Sequence, residues 1–289
     1  MAFLQNKKRL MLPTVLLGVF VLSFLLRFAD LGRRGRGECR VWFLDVGQGD
    51  AEFIETPNGM RLLVDGGPDR SILTKLGQIL PPWDRRIDAL VLSHSDADHV
   101  TGFPSVLEHY HVGTVYESGI LGKSGPAHAF ARFQVPRVLV KAGDAFQLGG
   151  ASMEVLAPAD AIPGSVPDLA NTFSLVLRLS CGGHSVLLVG DLPAERERRI
   201  IPLQPKADVL KIAHHGSLTS SDPAFLEAVH PSAAVIEVGA HNTFGHPHAI
   251  ILERLNKRGI RLFRTDRDGD ILFRASGGRF TLEPRPLPF

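Results

Sequence analysis

The sequence predicts an α+β fold in which β-sheets pack face to face and helices cover them. Short apolar runs rich in Val, Leu and Ile recur along the chain with helix-like segments between them, which is the first ground for this class. The second is composition: 44% hydrophobic and 21% charged residues leave ample apolar material for a large core. The 29 Gly and 20 Pro fit many tight connections, and no internal repeat interrupts the pattern. A chain of 289 residues holds one large domain or two small ones, and no second folded domain is evident.

The amino-terminal stretch is set apart from the rest. Leu10–Phe28, LMLPTVLLGVFVLSFLLRF, is nearly continuous apolar sequence behind Lys7, Lys8 and Arg9. As a helix it would measure about 28 Å, close to the roughly 20 residues that a membrane span needs. The same layout suits a cleaved signal peptide, although no small-x-small cleavage site precedes Asp30. The expectation is a retained single-pass anchor with the following domain on the extracytoplasmic side; secretion after signal cleavage is the alternative. GRRGRGE, Gly32–Glu38, reads as a polar linker. The boundary therefore falls between residues 1–37 (basic tail, apolar segment and linker) and a folded domain over 38–289.

That boundary changes the meaning of the charge. Residues 1–37 carry seven Lys/Arg against one Asp, so the formal net charge of +2 resolves into +6 there and −4 over 38–289. Bulk charge on the domain does not support nonspecific nucleic-acid binding. The dense basic run from Arg254 to Arg267 reads as a solvated helix face followed by a strand. Only Cys39 and Cys181 are present, neither in a CxxC pair, which argues against a thiolate zinc site and excludes a disulfide scaffold. A single Cys39–Cys181 bridge is compatible with the sequence but not required by it.

Within the domain, RVWFLDVG (40–47), DAEFIET (50–56) and RLLVDGG (61–67) read as an antiparallel meander. Ser71–Leu80 reads as a helix stopped by Pro81-Pro82. Ile87–Leu92 is a buried strand, and further strands are expected at 114–117, 138–140, 152–157, 174–180, 185–189, 209–212 and 234–238.

Several strands end in the same kind of residue. LLVD ends in Asp65, LVLSHSDADH in His94, Asp96, Asp98 and His99, SVLLVGD in Asp191, and ADVLKIAHHGS in His214 and His215. A lone acid after a strand is ordinarily a turn or a helix cap. Four such positions, one of them holding four ligands, point to divalent cations, because titratable groups are expensive to bury without partners.

The ordered set FLDVGQGDAEFIETPNG, LLVDGG, HSDADH, NTFSLVLRL, LLVGDL, LKIAHHGSLTS and GHPH resembles the metallo-β-lactamase superfamily. Within it, the set is most similar to the hydrolase domain of ComEC-type DNA-uptake competence proteins, over about residues 40–275. The resemblance implies a four-layer αββα sandwich with a two-metal site at one edge of the sheets. It assigns His94 and Asp96 to one cation and Asp98, His99 and His215 to the other, with Asp191 bridging.

Asp96 stands where the superfamily signature has a second His, and the later histidine has no counterpart, Asn171 standing in NTFS. Oxygen-rich ligation shifts preference from zinc towards manganese or magnesium, so two ions, manganese or zinc, are expected. Catalytic roles are expected for Asp65 (orienting a ligand), His214 (alternative ligand or proton transfer) and His246 (protonating a leaving group). Asn171, Ser217, Thr219, Ser220 and His248 are the candidate substrate contacts. Asp45 and Asp50 are expected near the site.

The resulting expectation is a metal-dependent phosphodiesterase or nuclease acting on DNA in connection with uptake. Its partners would be the membrane, DNA or another phosphodiester, and a separate DNA-uptake channel. Competing readings are a hydrolase of another envelope phosphoester or ester, a β-lactamase disfavoured by the depleted imidazole shell, and a non-catalytic membrane-anchored binding module.

Overall fold

A computed structural model describes residues 37–120, 122–159 and 170–285. They belong to one compact unit, Gly37–Phe289. In chain order the first half comprises β1 (Cys39–Phe43), β2 (Glu52–Glu55), β3 (Arg61–Val64), α1 (Ser71–Ile79) and β4 (Arg86–Leu92). There follow α2 (Ala97–Val100), α3 (Gly102–His109), β5 (His111–Glu117), α4 (Gly125–Ala131), β6 (Arg137–Leu139), β7 (Ala145–Leu148) and β8 (Ala151–Ala157). The second half comprises β9 (Val176–Cys181), β10 (His184–Leu188), α5 (Ala194–Ile200), β11 (Val209–Lys211), α6 (Pro223–Val229) and β12 (Ala233–Ile236). It closes with α7 (Ala249–Lys257), β13 (Arg261–Arg264), α8 (Thr265–Asp268), β14 (Ile271–Ser276) and β15 (Arg279–Pro284).

The strands form two sheets. The first runs β15-β14-β1-β2-β3-β4-β5-β6 and the second β13-β12-β11-β10-β9-β8-β7. The expected meander is present: β1, β2 and β3 pair antiparallel, and β4, β5 and β6 then add in parallel. Strand alternation explains the layering. Along β4, Ala89 and Val91 face the second sheet, whereas Leu90 and Leu92 face helices. One core lies between the sheets, with Phe43, Ile54, Val64, Leu177, Val186, Val209 and Val235. A second packs α1, α3 and α4 on the first sheet through Leu76, Phe103, Val106 and Phe130. A third packs α5, α6 and α7 on the second sheet through Ile200, Phe225, Leu226, Ile251 and Leu255. Three cores mean four layers, in the αββα order the resemblance implied.

Local signals account for the helices. In α1, Ile72 and Leu76 stand four apart and are buried, and Pro81 follows the C-cap. Asp222 caps α6 by accepting the Ala224 N–H (2.9 Å), with Pro223 at the first turn. The basic run resolves as expected into α7 and β13. Arg254 and Arg258 donate to the carbonyls of Ser221 and Pro223, and Arg264 pairs with Asp266.

Some expectations need correction. β1 stops at Phe43 because the 44–51 segment forms a loop, and β7, β14 and β15 stand where no strand was expected. Cys39 and Cys181 are joined in a disulfide, Cα–Cα 5.8 Å, which ties β1 to β9 across the inter-sheet core. No helix among the described residues is long and apolar enough to cross a membrane. The Leu10–Phe28 segment lies outside them.

Candidate metal centre

The expected ligands come together at one edge of the sandwich, where strands of both sheets end. Asp65 follows β3 in a left-handed conformation (φ 54°). The chain can pass so close to the start of α3 only because Gly66 and Gly102 face each other; a Cβ on Gly102 would overlap the Gly66 carbonyl. That approach sets Asp65 beneath His99. Asp191 follows β10, and His214 and His215 follow β11, both at φ 52°. Left-handed backbone at non-glycine residues costs about 1–2 kcal/mol each, so these imidazoles are held by a conformation that the rest of the fold has to sustain.

Asp191 is the centre of the constellation. Its Oδ1 lies 3.4 Å from His99 Nε2, and its Oδ2 lies 3.6, 3.8 and 3.9 Å from Nε2 of His214, His215 and His94. Asp98 Oδ2 is 3.2 Å from His215 Nε2, and Asp96 Oδ2 is 3.6 Å from His94 Nε2. The ligand atoms of Asp98, His99, Asp191 and His215 all fall within 4.8 Å of one another. His94 and His214 meet the same carboxylate through Oδ2, the oxygen that His215 also approaches, and Asp96 stands beside His94.

Proton positions follow from the outer partners. Ser93 Oγ donates to Asp65 Oδ2 (2.5 Å), so its contact with His94 Nδ1 (3.0 Å) is one in which the ring N–H donates to the serine. His99 Nδ1–H donates to Asp65 Oδ2 (2.7 Å), and His215 Nδ1–H donates to the Glu237 carbonyl (2.8 Å). When neutral, all three rings therefore turn an Nε2 lone pair towards Asp191. His94 Nε2, His99 Nε2 and Asp191 Oδ1 are buried without a hydrogen-bond partner. Buried acceptors aimed at one another are costly alone, and they are what a pair of divalent cations requires. The residues fit the metals.

Electrostatics agree. Burial alone would lower the His215 pKa; the Asp191 and Asp50 carboxylates outweigh it and push it up to about 10. His99 is raised by the same balance, through Asp191, Asp50 and Asp65. Against burial, which would raise them, Asp98 and Asp191 are held below the ordinary carboxylate range by these imidazoles. Without cations, protons occupy the site. A folded-state pKa of about 10 against 6.5 means that this stabilisation is complete below pH 6.5 and is lost as pH rises towards 10. The metal-free protein should thus lose more than about 5 °C of melting temperature across that window, while metal affinity rises over the same range. Melts in EDTA between pH 6.5 and 10 check this; a flat profile would contradict it.

The remaining expected residues divide. His214 Nδ1 meets Thr219 Oγ1 at 3.1 Å, leaving Nε2 facing Asp191, as a ligand would. Thr219 is exposed at the mouth, but Ser217 and Ser220 are buried. Ser217 bonds Thr219 (3.0 Å) and Ser220 donates to the Leu192 carbonyl (2.9 Å), so these two brace the turn rather than face a substrate. Asn171 lies in the 3₁₀ turn Ala170–Phe173, and the Leu175 N–H that follows donates to the Ser93 carbonyl (2.8 Å), behind His94. His246 packs edge-on to His214 (5.6 Å), and His248 edge-on to His246 (5.2 Å). Burial, then the charges of His215 and His214, lower the His246 pKa to about 4. It is neutral at physiological pH in the metal-free protein and stands beside the ligand candidate His214. Asp45 is tied away from the ligands, its N–H donating to Asp270 Oδ1 (2.7 Å).

Sequence reasoning missed Ser93 and Lys211. The Lys211 ammonium is wholly buried, pairs with Asp50, and lies 3.9 Å from Asp191 Oδ1. Around it, Asp50, Glu52 and Glu237 form a second acidic cluster, in which burial raises both glutamates, Glu237 to about 8. The one trace in the sequence is a lysine closing an apolar strand, which says nothing of its partners. Ser93→Ala removes the acceptor that fixes His94. It should weaken one of two metal sites by roughly 10–100-fold and leave the other unchanged, as read by chelator-competition titration; equal loss at both sites would refute the role.

The fold, the ligand order and the family model converge. Residues 44–241 match the metallo-beta-lactamase superfamily. The chain belongs to this superfamily. The competence-protein resemblance is also borne out. The ComE operon protein 3 of Bacillus subtilis (strain 168) is 33% identical over 86% of this chain and 34% of its own length. The competence protein ComA of Neisseria gonorrhoeae is 34% identical over 82% of this chain and 32% of its own. The chain thus spans about a third of the length of these curated relatives. Among solved structures, the metallo-beta-lactamase fold protein YhfI from Bacillus subtilis superposes with a TM-score of 0.55 at 13% identity, covering 85% of this chain and 99% of that one. That likeness supports the superfamily fold alone.

Proposed function

We propose that this protein is a dinuclear-metal phosphodiesterase acting on DNA in connection with its uptake, anchored by Leu10–Phe28 with its catalytic domain on the extracytoplasmic side. The observation that carries the chemistry is the convergence of four imidazole Nε2 atoms, two of them without a hydrogen-bond partner, on the buried carboxylate of Asp191. When bound, divalent cations supply Lewis acidity, lowering the pKa of water and neutralising charge on a phosphoester. The protein's own residues supply the order. Asp65 fixes His99 directly and His94 through Ser93, the Glu237 carbonyl fixes His215, and Thr219 sets His214 while offering its hydroxyl at the mouth. His246, edge-on to His214, is the residue placed for proton transfer to a leaving group. Manganese is the favoured metal, since Asp96 supplies an oxygen where the superfamily signature has an imidazole.

The likeness to the competence protein ComA and to the ComE operon protein 3 is the support for DNA uptake as the setting, and a separate DNA-uptake channel is the partner this reading calls for. The buried Cys39–Cys181 bridge supports an oxidising, extracytoplasmic location. Full-length protein reconstituted with manganese or zinc should cleave single- or double-stranded DNA, faster with manganese. Metal-dependent cleavage of carboxylic esters or β-lactams, with none of DNA, would refute the reading. Protease protection in cells whose outer barrier has been opened tests the sidedness; a domain still resistant would lie in the cytoplasm.

A further inference from the structure

Beside the metal centre, the loop 239–248 presents an aromatic ring to solvent at a cost the fold has visibly met. Phe244 is 64% exposed. Its ring stacks on His246 (centroids 5.8 Å, planes 24° apart), and His246 in turn meets His214 at 5.6 Å. A line of three rings therefore leads from solvent to a side chain that contacts Asp191.

The loop is organised rather than loose. The Asn242 side chain donates to the Gly239 and His246 carbonyls (2.9 and 2.8 Å) and accepts the His246 N–H (3.0 Å). The His248 N–H donates to the Gly216 carbonyl (3.0 Å), tying the loop to the turn that carries His214 and His215. Gly216 is obligatory at that junction, because it sits at φ 81° and a Cβ there would come within 2.6 Å of Pro247. On the same turn stands Leu218, 57% exposed. An apolar rim held rigidly against a polar, cation-demanding site is unlike a scattered surface hydrophobe.

We propose that Phe244, backed by His246, is a stacking platform for an unpaired base of a single-stranded nucleic acid whose backbone lies at the metal centre. This rests on the phosphodiesterase reading and narrows its substrate class. Exposed aromatic faces bind bases without regard to sequence, since every base has a π-face. A duplex keeps its bases stacked on one another and has no such face to offer except at an end. The net acidic domain makes base stacking more necessary, because bulk charge does not hold the strand.

The test uses the full chain in mild detergent and two fluorescent probes: a short oligothymidylate and an abasic oligomer of equal length, carrying the same phosphates without bases. Anisotropy titrations in EDTA need no turnover. Native protein should prefer the oligothymidylate. Phe244→Ala should weaken that binding about tenfold, Phe244→Trp should restore it, and neither should affect the abasic chain. With manganese, Phe244→Ala should raise KM for the oligothymidylate and leave kcat unchanged. Equal binding of both probes by native protein, no binding of either, or equal weakening of both by Phe244→Ala would overturn the platform. So would a change of oligomeric state on Phe244→Ala with binding unaltered, which would mark the rim as a contact between copies. Oligothymidylate bound through Phe244 but not cleaved with any metal would count against the phosphodiesterase reading and leave the platform standing.

Discussion

Asp191→Ala is expected to empty both metal sites together and to lower kcat/KM on a phosphodiester at least about a thousandfold, some 4 kcal/mol of transition-state stabilisation. The reason is geometric. One carboxylate lies within 4 Å of the Nε2 atoms of His94, His99, His214 and His215. No other described acid reaches both the His94 and the His215 sides. Removing it also unbalances the Lys211 ammonium, which lies 3.9 Å away. Asp191→Asn is the companion variant, since it keeps the shape and one oxygen while removing the charge. Metal analysis at saturation, with a melt to confirm folding, decides the matter; one site at full affinity in Asp191→Ala would show that this residue is not the bridge.

Loss of the disulfide is expected to have the second-largest effect, on stability. Cys39 and Cys181 are 142 residues apart, and closing a loop of that length removes about 5 kcal/mol of unfolded-chain entropy in the simplest treatment, with 2–5 kcal/mol usual for native bridges. For a domain of this size, that corresponds to a fall of roughly 10 °C in melting temperature. Cys39→Ala with Cys181→Ala should reproduce the effect of a reductant, and reductant should then do nothing further. A double variant that melts within about 2 °C of the native protein would show that the bridge contributes little.

The metal centre was largely legible in the sequence because its residues break a local rule. Asp65, His94, Asp191 and His215 each follow an apolar strand at once, where a polar group must either turn outwards or find a partner. The layers followed from the same strands. What escaped notice depends on contacts between distant segments. Lys211 ends an ordinary-looking strand, and nothing near it in the chain announces that Asp50, Glu52 and Glu237 will surround it. Ser93 is anonymous until Asp65, 28 residues away, is found accepting its hydroxyl. Ser217 and Ser220 read as substrate contacts because hydroxyls stand beside ligands, and their burial and internal bonds, which fasten the turn, depend on the fold. The disulfide was an open question because pairing is a statement about two sheets, not about either cysteine.

β1 and β9 each carry a cysteine at one end and lead towards the ligands at the other. Cys39 opens β1, whose far end passes into the loop holding Asp50, and Cys181 closes β9, which begins just after the segment that leans on Ser93. The two sheets are therefore bound like the boards of a book, with a covalent spine at one margin and a clasp of candidate metal ligands at the other. Chelation would empty the clasp and leave the spine. Without ions, protonated His215 still pairs with Asp98 and Asp191 across that edge, so the boards keep their register and recapture of the ions needs no refolding. Reduction reverses the arrangement: the inter-sheet core then holds the covers without the spine, and bound ions would offset part of the lost stability by mass action.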